Sequence, residues 1–189
     1  MMSTILVFGR TGQVARSLQQ LAPVLVLGRE AADLAQPGVC AKAIQIHRPC
    51  AVINAAAYTA VDQAEEDELL ATRINGEAPA EMALACAELK IPLVHISTDY
   101  VFSGTNIGPW APGEVTVPAN AYGRSKLVGE QGIRDSHTIH AILRTSWIFS
   151  AHGNNFVKTV LRLSDTCDQI SVVDDQIGGP TPAHAIAAA

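Results

Sequence analysis

The chain has 189 residues and a formal net charge of −5, and nearly half of its residues are apolar. This length predicts a single domain with a substantial core, and the negative charge argues against a nucleic-acid partner or an anionic membrane surface. Because no apolar run approaches the length of a membrane span and the N-terminus lacks the layout of a signal peptide, we expect a cytoplasmic protein with no membrane partner.

The N-terminal stretch predicts a strand, a glycine turn and a helix. Residues 4–8 form a short apolar run that ends at Gly9, and apolar residues then recur at helical spacing from Val14. Gly9 and Gly12 would let the backbone approach a pyrophosphate, and the helix N-terminus would supply free N–H groups. The third glycine of the dinucleotide fingerprint is replaced by Ala15. A purely structural turn is the alternative, but the position directly after a first strand favours a dinucleotide-binding loop.

A second predicted strand, Val24–Leu27, leads into charged residues. An acidic residue at about this distance from the glycine loop would bind the ribose hydroxyls of NAD. Here Arg29 follows the strand and Arg10 lies inside the loop, and guanidinium groups suit the 2′-phosphate of NADP. We therefore predict that NADPH is preferred to NADH. Glu30 leaves NADH open, and a solvated loop charge is the alternative for Arg29.

The remaining chain alternates between helical and strand patterns without an internal repeat. This alternation predicts an α/β fold with a doubly wound parallel sheet, a Rossmann-like domain over residues 1–189. Small residues after the third strand, Ala55, Ala56 and Ala57, would let a flat cofactor lie close to the backbone. Helices are predicted at residues 35–48, 62–73, 75–89, from Tyr122 onward and at 154–163, strands at 51–53, 91–96, 139–143 and 170–173, and loops at 103–120 and 174–182.

Tyr122 and Lys126 are four residues apart, so on a helix both side chains leave the same face. A free tyrosine titrates near ~10, and a neighbouring ammonium group lowers the pKa of the phenol. The pair therefore predicts a tuned acid or base acting on a carbonyl oxygen, to which the Thr98 hydroxyl would also bond. For this short motif alone, an exposed tyrosine and lysine without a role is the more common explanation.

The cysteines and histidines show no spacing typical of a metal site, and we predict no bound metal. We interpret the cysteines as reduced thiols of a cytosolic protein. His95 lies within the fourth strand and is interpreted as a satisfied core residue. Trp110, in the long loop, would either contact a ligand or pack. The cysteines are Cys40, Cys50, Cys86 and Cys167.

Seven motifs occur in order along nearly the whole chain. They are FGRTGQV at 8–14, NAAAYTAVDQAE at 54–65, STDYVF at 97–102, YGRSKLVGE at 122–130, RTSW at 144–147, GNNF at 153–156 and DQIGGPT at 175–181. In this order they resemble the extended short-chain dehydrogenase/reductase superfamily and, within it, the dTDP-4-dehydrorhamnose reductases. An ordered set of this kind is far more specific than any one of its motifs.

The resemblance implies that NAD(P)H delivers hydride to the C4 carbonyl of dTDP-4-dehydro-L-rhamnose and gives dTDP-L-rhamnose. Tyr122 would donate the proton, Lys126 would lower the pKa of the tyrosine and hold the nicotinamide ribose, and Thr98 would position the carbonyl. Implied substrate contacts come from Thr59, Val61, Thr98, Asp99, Tyr100 and Trp147. Implied cofactor contacts come from Gly9, Arg10, Thr11, Gly12, Gln13, Val14, Arg29, Asp33, Leu34, Ala55, Ala56, Ala57, Tyr122 and Lys126.

Two departures from the family pattern affect these expectations. A glutamate of the family's first helix helps to bind magnesium at a dimer interface, and Ser17 stands at the matching position. A homodimer of this chain is therefore expected to form, if at all, without the bridging metal. The family also continues beyond the end of this chain with a smaller domain over the substrate, so we expect the cofactor half to be complete here and the substrate half to be largely absent.

Two other functions remain open at this point. One is a sugar-nucleotide dehydratase or epimerase, but the dehydratases carry an Asp-Glu pair after the threonine, and here Asp99 is followed by Tyr100. The other is an NADP-binding regulatory subunit without catalysis, because the regulatory subunit of methionine adenosyltransferase is itself reductase-like.

Overall fold

The structure, a computed structural model, describes residues 4–105 and 108–189, and a parallel sheet lies at its centre. Its strands are β1 Ile5–Phe8, β2 Val24–Leu27, β3 Ala51–Asn54, β4 Leu93–Thr98 and β5 His140–Thr145. They are ordered β2-β1-β3-β4-β5, so the strand order reverses direction between β1 and β3. Ligands of such sheets bind in the crevice beyond the carboxyl ends of the strands at this reversal. The predicted doubly wound parallel sheet is confirmed.

Helices cover both faces of the sheet. The helices of the described residues are α1 Gln13–Leu21, α2 Val39–His47, α3 Glu68–Thr72, α4 Ala78–Leu89, α5 Ala121–Asp135, α6 Phe156–Ser164, which has no buried residue, and α7 Ala183–Ala188. Because side chains alternate along a strand, Leu6 and Phe8 pack toward α2, α4 and α5, whereas Val7 packs toward α1 and α7. Each fully buried side chain of this kind stabilises the fold by about 1.5–3 kcal/mol.

A π-helical turn at residues 73–77 connects α3 to α4 and fixes the neighbouring α5. The side chain of Asn75, in this turn, donates to the carbonyl oxygen of Tyr58 at 3.0 Å and to the hydroxyl oxygen of Ser125 at 3.0 Å. Helix α5 approaches so closely that a Cβ atom at Gly129 would lie 2.2 Å from the carbonyl oxygen of Asn75. The contact holds α5, which has few large apolar residues, firmly against this turn.

The start of α5 is fixed by two polar side chains. Asn120 is the N-cap, and its Oδ1 accepts a hydrogen bond from the backbone N–H of Gly123 at 2.7 Å. The Oε1 atom of Glu65 accepts from the N–H of Ala121 at 2.7 Å. Tyr122 therefore enters the helix at a defined position, directly beside the end of β4.

The predicted strand at 170–173 is wrong. These residues have no strand partner in the structure, and Val172 and Val173 are exposed. A run rich in β-branched residues forms a strand only where it can pair and pack, and the described part of the chain offers this segment no such neighbour. A small second sheet forms instead, from β6 Ile148–Phe149 and β7 Thr181–Pro182, which lie parallel.

Several predicted boundaries also move. The helix predicted at 35–48 begins only at Val39, because Gly38 before it has a positive φ of 75°, a conformation that a right-handed helix does not contain. The helix predicted at 62–73 is divided into a short 3-10 turn, Gln63–Glu65, and α3. The fourth and fifth strands each extend two residues further than predicted, to Thr98 and Thr145. Of the predicted loop 103–120, residues 106 and 107 lie outside the described residues.

Candidate active site

The glycine turn after β1 forms the floor of the crevice. Gly9 has a φ of 101°, and a Cβ atom there would lie 3.1 Å from the backbone of Ala55, so a larger residue would be both strained and crowded. Gly12 is the N-cap of α1 and offers no side-chain hydrogen bond to its first turn. The N–H groups of that turn are therefore suited to an anionic group such as a pyrophosphate.

A cleft of about 800 Å³ opens above this turn and is called the first cleft. Every residue predicted to contact a cofactor lines it, from three separate loops, from the start of α1 and from α5. Their role as contacts stays a prediction, but they are brought together at one place. Sequence reasoning did not assign several further residues of its wall, among them Ile96, Thr145, Ile148, Gly153 and Asn154. A partial signal existed for them, since most belong to, or directly follow, a strand end or the GNNF motif.

Arg10 and Arg29 both line the first cleft, as the predicted preference for NADPH requires. However, Arg10 forms an ion pair with Glu30, whose side chain is 60% exposed. This pair takes up part of the positive charge that the sequence suggested for a 2′-phosphate. Arg29 is exposed and is therefore the arginine better placed to meet such a group.

Thr98 lies at the end of β4 and lines the first cleft together with Tyr122 and Lys126. Its Oγ1 donates to Oδ1 of Asp99 at 3.2 Å and accepts from the N–H of Tyr100 at 3.2 Å. Burial raises the pKa of Tyr122 to about 12, and a hydrogen bond with Thr98 opposes this rise. The expectation that Lys126 lowers the pKa of this phenol is therefore wrong for the chain by itself, because burial dominates.

The amine of Lys126 is buried and directed toward β4. Its Nζ donates to the carbonyl oxygen of Ile96 at 2.7 Å and lies 3.2 Å from Nε2 of His95. Burial lowers the pKa of Lys126 to about 8, while the charge of Glu130 opposes the shift. Sequence spacing placed this side chain on the same helix face as Tyr122, but it could not show that the amine is buried.

A buried carboxylate ties α5 to the two strands beside it. Glu130 accepts hydrogen bonds from Ser97 Oγ at 2.7 Å, from Arg144 Nη2 at 2.6 Å and from Arg134 Nη2 at 2.8 Å. Burial alone would raise the pKa of Glu130, but the hydrogen bonds from Arg144 and Ser97 outweigh it, so the pKa is lowered. Sequence reasoning missed this residue, although it closes the YGRSKLVGE motif two turns after Tyr122.

A second cleft of about 1100 Å³ lies beside the first, and Thr145 lines both. Of the residues predicted to contact the substrate, Asp99, Tyr100 and Trp147 line the second cleft. Thr59 and Thr98 line the first cleft, and Val61 lines neither. Burial raises the pKa of Asp99, and its hydrogen bond from Thr98 opposes the rise.

Aromatic rings shape the wall of the second cleft. Trp110 stacks on Phe102, with ring centroids 4.7 Å apart and planes 4° from parallel, so the loop tryptophan both packs and lines the cleft. The guanidinium carbon of Arg144 lies 4.8 Å from the centroid of Phe102 on the same wall. Planar, partly polar surfaces of this kind are suited to the ring of a nucleotide base or sugar.

Other sequence predictions have simple outcomes. Ser17 is buried and its hydroxyl donates to the carbonyl oxygen of Gln13 at 3.2 Å, so it does not present a ligand at the surface. Across residues 4–105 and 108–189, no group of three or more acidic, cysteine or histidine side chains is arranged to hold a metal ion. No helix in the same residues is both long and apolar enough to cross a membrane. The four cysteines are free thiols.

Together, the strand order, the glycine turn and the Tyr-Lys pair beside it define a Rossmann-type α/β protein with its site at the reversal of strand order. A family model described as the RmlD substrate binding domain matches residues 2–189. The chain therefore belongs to this family, and the resemblance seen in its motifs is confirmed.

Similar proteins carry consistent names. The chain is 45% identical over 187 residues to a dTDP-4-dehydrorhamnose reductase from Burkholderia thailandensis, covering 97% of this chain and 63% of that protein. It is 44% identical over 191 residues to a dTDP-4-dehydrorhamnose reductase from Salmonella typhimurium, covering 97% and 64%. The chain thus spans about 63–64% of the length of these relatives.

Solved structures agree on the fold. A dTDP-4-dehydrorhamnose reductase from Bacillus anthracis, in complex with NADP, superposes with a TM-score of 0.94 at 36% identity, covering 100% of this chain and 69% of that one. A UDP-glucose 4-epimerase from Brucella ovis, in complex with NAD, superposes with a TM-score of 0.81 at 18% identity, covering 98% and 71%. The second likeness shows the fold alone.

Proposed function

We propose that the first cleft binds NADPH and that the chain is the dinucleotide-binding part of a reductase. The reaction is reduction of the C4 keto group of dTDP-4-dehydro-L-rhamnose to dTDP-L-rhamnose. One observation carries the proposal: Thr98, Tyr122 and Lys126 line one cleft above the glycine turn, and this cleft shares Thr145 with the cleft lined by Asp99, Tyr100 and Trp147. The names of the relatives support the same reaction.

The residues of the first cleft fit a dinucleotide. Gly9 leaves room where a Cβ atom would crowd Ala55, and the uncapped first turn of α1 offers N–H groups to a pyrophosphate. The alanines after β3 leave a smooth wall for a flat ring. When bound, the reduced nicotinamide supplies hydride.

The protein's own groups supply the proton and the orientation. Because the pKa of Tyr122 is raised to about 12, the phenol is protonated throughout the neutral range, which is the state required of a proton donor. The Thr98 hydroxyl lines the same cleft as this phenol and would hold the substrate oxygen beside it. Lys126 lies one turn further along α5 and would contact the ribose of the cofactor.

An assay of NADPH oxidation with dTDP-4-dehydrorhamnose tests the proposal. It is run on this chain and on the same chain joined to the C-terminal third of the Burkholderia relative. We expect the joined chain to turn over and this chain to be much slower, because this chain spans only 63% of the length of that relative. If both bind NADPH and neither turns over, the reductase assignment is overturned, and an NADP-binding regulatory role becomes the better account.

Arg29→Ala tests the proposed preference for NADPH. Loss of one charge-assisted hydrogen bond to the 2′-phosphate should weaken NADPH binding about 10-fold and change NADH binding by less than about 2-fold. Dissociation constants for both cofactors are measured by calorimetry. Arg162→Ala, an exposed change on α6, is the control and should alter neither constant. An equal loss for both cofactors would show that Arg29 does not recognise the phosphate.

The proposal places the reaction in the cytoplasm, because four free thiols suit a reducing compartment. The proposal does not include a dimer. Ser17 is buried, so it cannot take part in a metal bridge between two chains.

A further inference from the structure

Two buried polar side chains beside the proposed site have no part in the proposed reaction. Asn54, at the end of β3, and His95, in β4, are both 0% exposed. Nδ2 of Asn54 lies 3.1 Å from Nδ1 of His95, and Nε2 of His95 lies 3.2 Å from Nζ of Lys126. Buried polar groups need correctly matched donors and acceptors, so the direction of each hydrogen bond can be worked out.

The orientation of the Asn54 amide is set by the backbone. Its Oδ1 accepts from the N–H of Ala56 at 3.1 Å, so its Nδ2 is the atom that faces His95 and donates to Nδ1. A neutral imidazole carries one N–H group and one acceptor nitrogen. Because Nδ1 of His95 accepts, the proton is on Nε2 and points at the nitrogen of Lys126.

Only a neutral amine can accept that hydrogen bond. An ammonium group has three donors and no lone pair, so it would face the Nε2–H group of His95 donor to donor. We call the ordered hydrogen bonds from the Ala56 N–H through Asn54 and His95 to Lys126 the relay. The relay as built matches the uncharged form of Lys126.

Charging Lys126 reverses the relay. Its ammonium group needs Nε2 of His95 as an acceptor, so the imidazole proton must be on Nδ1. The Nδ1–H group then needs an oxygen, which Asn54 can offer only by turning its amide. That turn removes the acceptor of the Ala56 N–H and places an NH₂ group against it.

The charged and titratable neighbours are consistent with this coupling. Burial, and then the charge of Lys126, lower the pKa of His95 well below its ordinary value, so the imidazole stays neutral. On α5, Glu130 follows one turn later and opposes the lowering of the pKa of Lys126. Tyr122 precedes Lys126 by one turn, and the charge of Asp99, on the turn after β4, raises the pKa of the Tyr122 phenol.

We propose that the charge on Lys126 is coupled through the relay to the backbone amide of Ala56 in the wall of the first cleft. His95 is then a positioning residue, since it acts through the lysine and through the turn after β3. The consequence for catalysis rests on the proposed function: a cofactor seated against Ala55–Ala57 and the charge state of the catalytic lysine would influence each other.

Nuclear magnetic resonance of the labelled 189-residue chain tests the coupling without cofactor or substrate. The Cε resonance of Lys126, the amide resonance of Ala56 and the ring nitrogens of His95 are followed between about pH 6 and pH 10. We expect Lys126 and Ala56 to titrate with one common midpoint near the pKa of about 8. Above the midpoint the proton of His95 should be on Nε2, and below it on Nδ1.

Two variants sharpen the test. In Asn54→Asp, both oxygens accept, so His95 should carry its proton on Nδ1 at every pH, the Ala56 titration should vanish, and the midpoint of Lys126 should rise by about one pH unit, the size of one hydrogen bond. Tyr122→Phe removes the neighbouring phenol and should leave the common midpoint of Lys126 and Ala56 intact.

The wild-type spectra decide the matter even if a variant fails to fold. Any one of three results would overturn the coupling. The Ala56 amide resonance could stay constant while Lys126 titrates, the proton of His95 could be on Nδ1 above the midpoint, or Lys126 could show no midpoint in this range. The common midpoint could be found while the joined chain shows no turnover. That result would support the coupling and contradict only the proposed reductase function.

Discussion

We expect Tyr122→Phe to lower the turnover of dTDP-4-dehydrorhamnose by about 10²–10⁴-fold in the chain joined to the C-terminal third of a relative. The change removes one oxygen, that of the proposed proton donor, and leaves the ring that packs edge-on against Tyr100 with centroids 5.8 Å apart. The structure of the site should therefore be kept while the acid is lost. Initial rates of NADPH oxidation measure the effect.

The matched control for this prediction is Tyr58→Phe. It makes the same chemical change at a tyrosine that follows the three alanines after β3 and is not among the residues lining either cleft. Its rate should stay within about 3-fold of the unchanged protein, because the change keeps the half-buried ring and lies outside both clefts. Unchanged turnover in Tyr122→Phe, with NADPH still bound, would remove Tyr122 from the proposed mechanism.

The largest expected effect on stability comes from Glu130→Gln. The side chain is 0% exposed and Arg144, its closest partner at 2.6 Å, is only 14% exposed. Removing one partner of a buried ion pair leaves the other charge uncompensated, so the free energy of unfolding should fall by about 3–5 kcal/mol. Urea denaturation followed by circular dichroism measures it.

Arg134→Ala provides the control, because Arg134 donates to the same carboxylate from a side chain that is 45% exposed. An exposed ion pair contributes about 0–1 kcal/mol, so the loss should be small. If both variants lose the same amount, the buried pair does not hold α5 against β4 and β5 as described.

The pH dependence of stability should reflect the same carboxylate. The folded chain holds the pKa of Glu130 below the ordinary value of 4.5, through the hydrogen bonds from Arg144 and Ser97 that outweigh burial. A depressed folded pKa gives stability that is present above the unfolded value and is lost as the pH falls through the folded value. Glu130→Gln should remove this part of the acid sensitivity.

The architecture and much of the site were predictable because they depend on patterns of short range. Apolar runs that end at glycine or polar residues predicted five strands at nearly correct positions, and the parallel order follows from the alternation with helices. The strand predicted at 170–173 failed because a local pattern cannot show whether a partner strand is available.

Properties that depend on burial could not be predicted. The spacing of Tyr122 and Lys126 correctly placed both in the wall of one cleft, but it suggested a lowered pKa for the phenol, whereas burial raises it. The sequence identified His95 as a satisfied core residue, and the structure confirms that it is buried and hydrogen-bonded. Its contact with Lys126 joins residues far apart in the chain and required the fold.

The most direct test of this account is a nuclear Overhauser measurement on the 189-residue chain with bound NADPH. The account predicts contacts between the protons of the nicotinamide ring and the ring of Tyr122, together with shifts of the amide resonances of residues 9–14. A nicotinamide ring that contacts neither Tyr122 nor Thr98, while NADPH is bound, would contradict it.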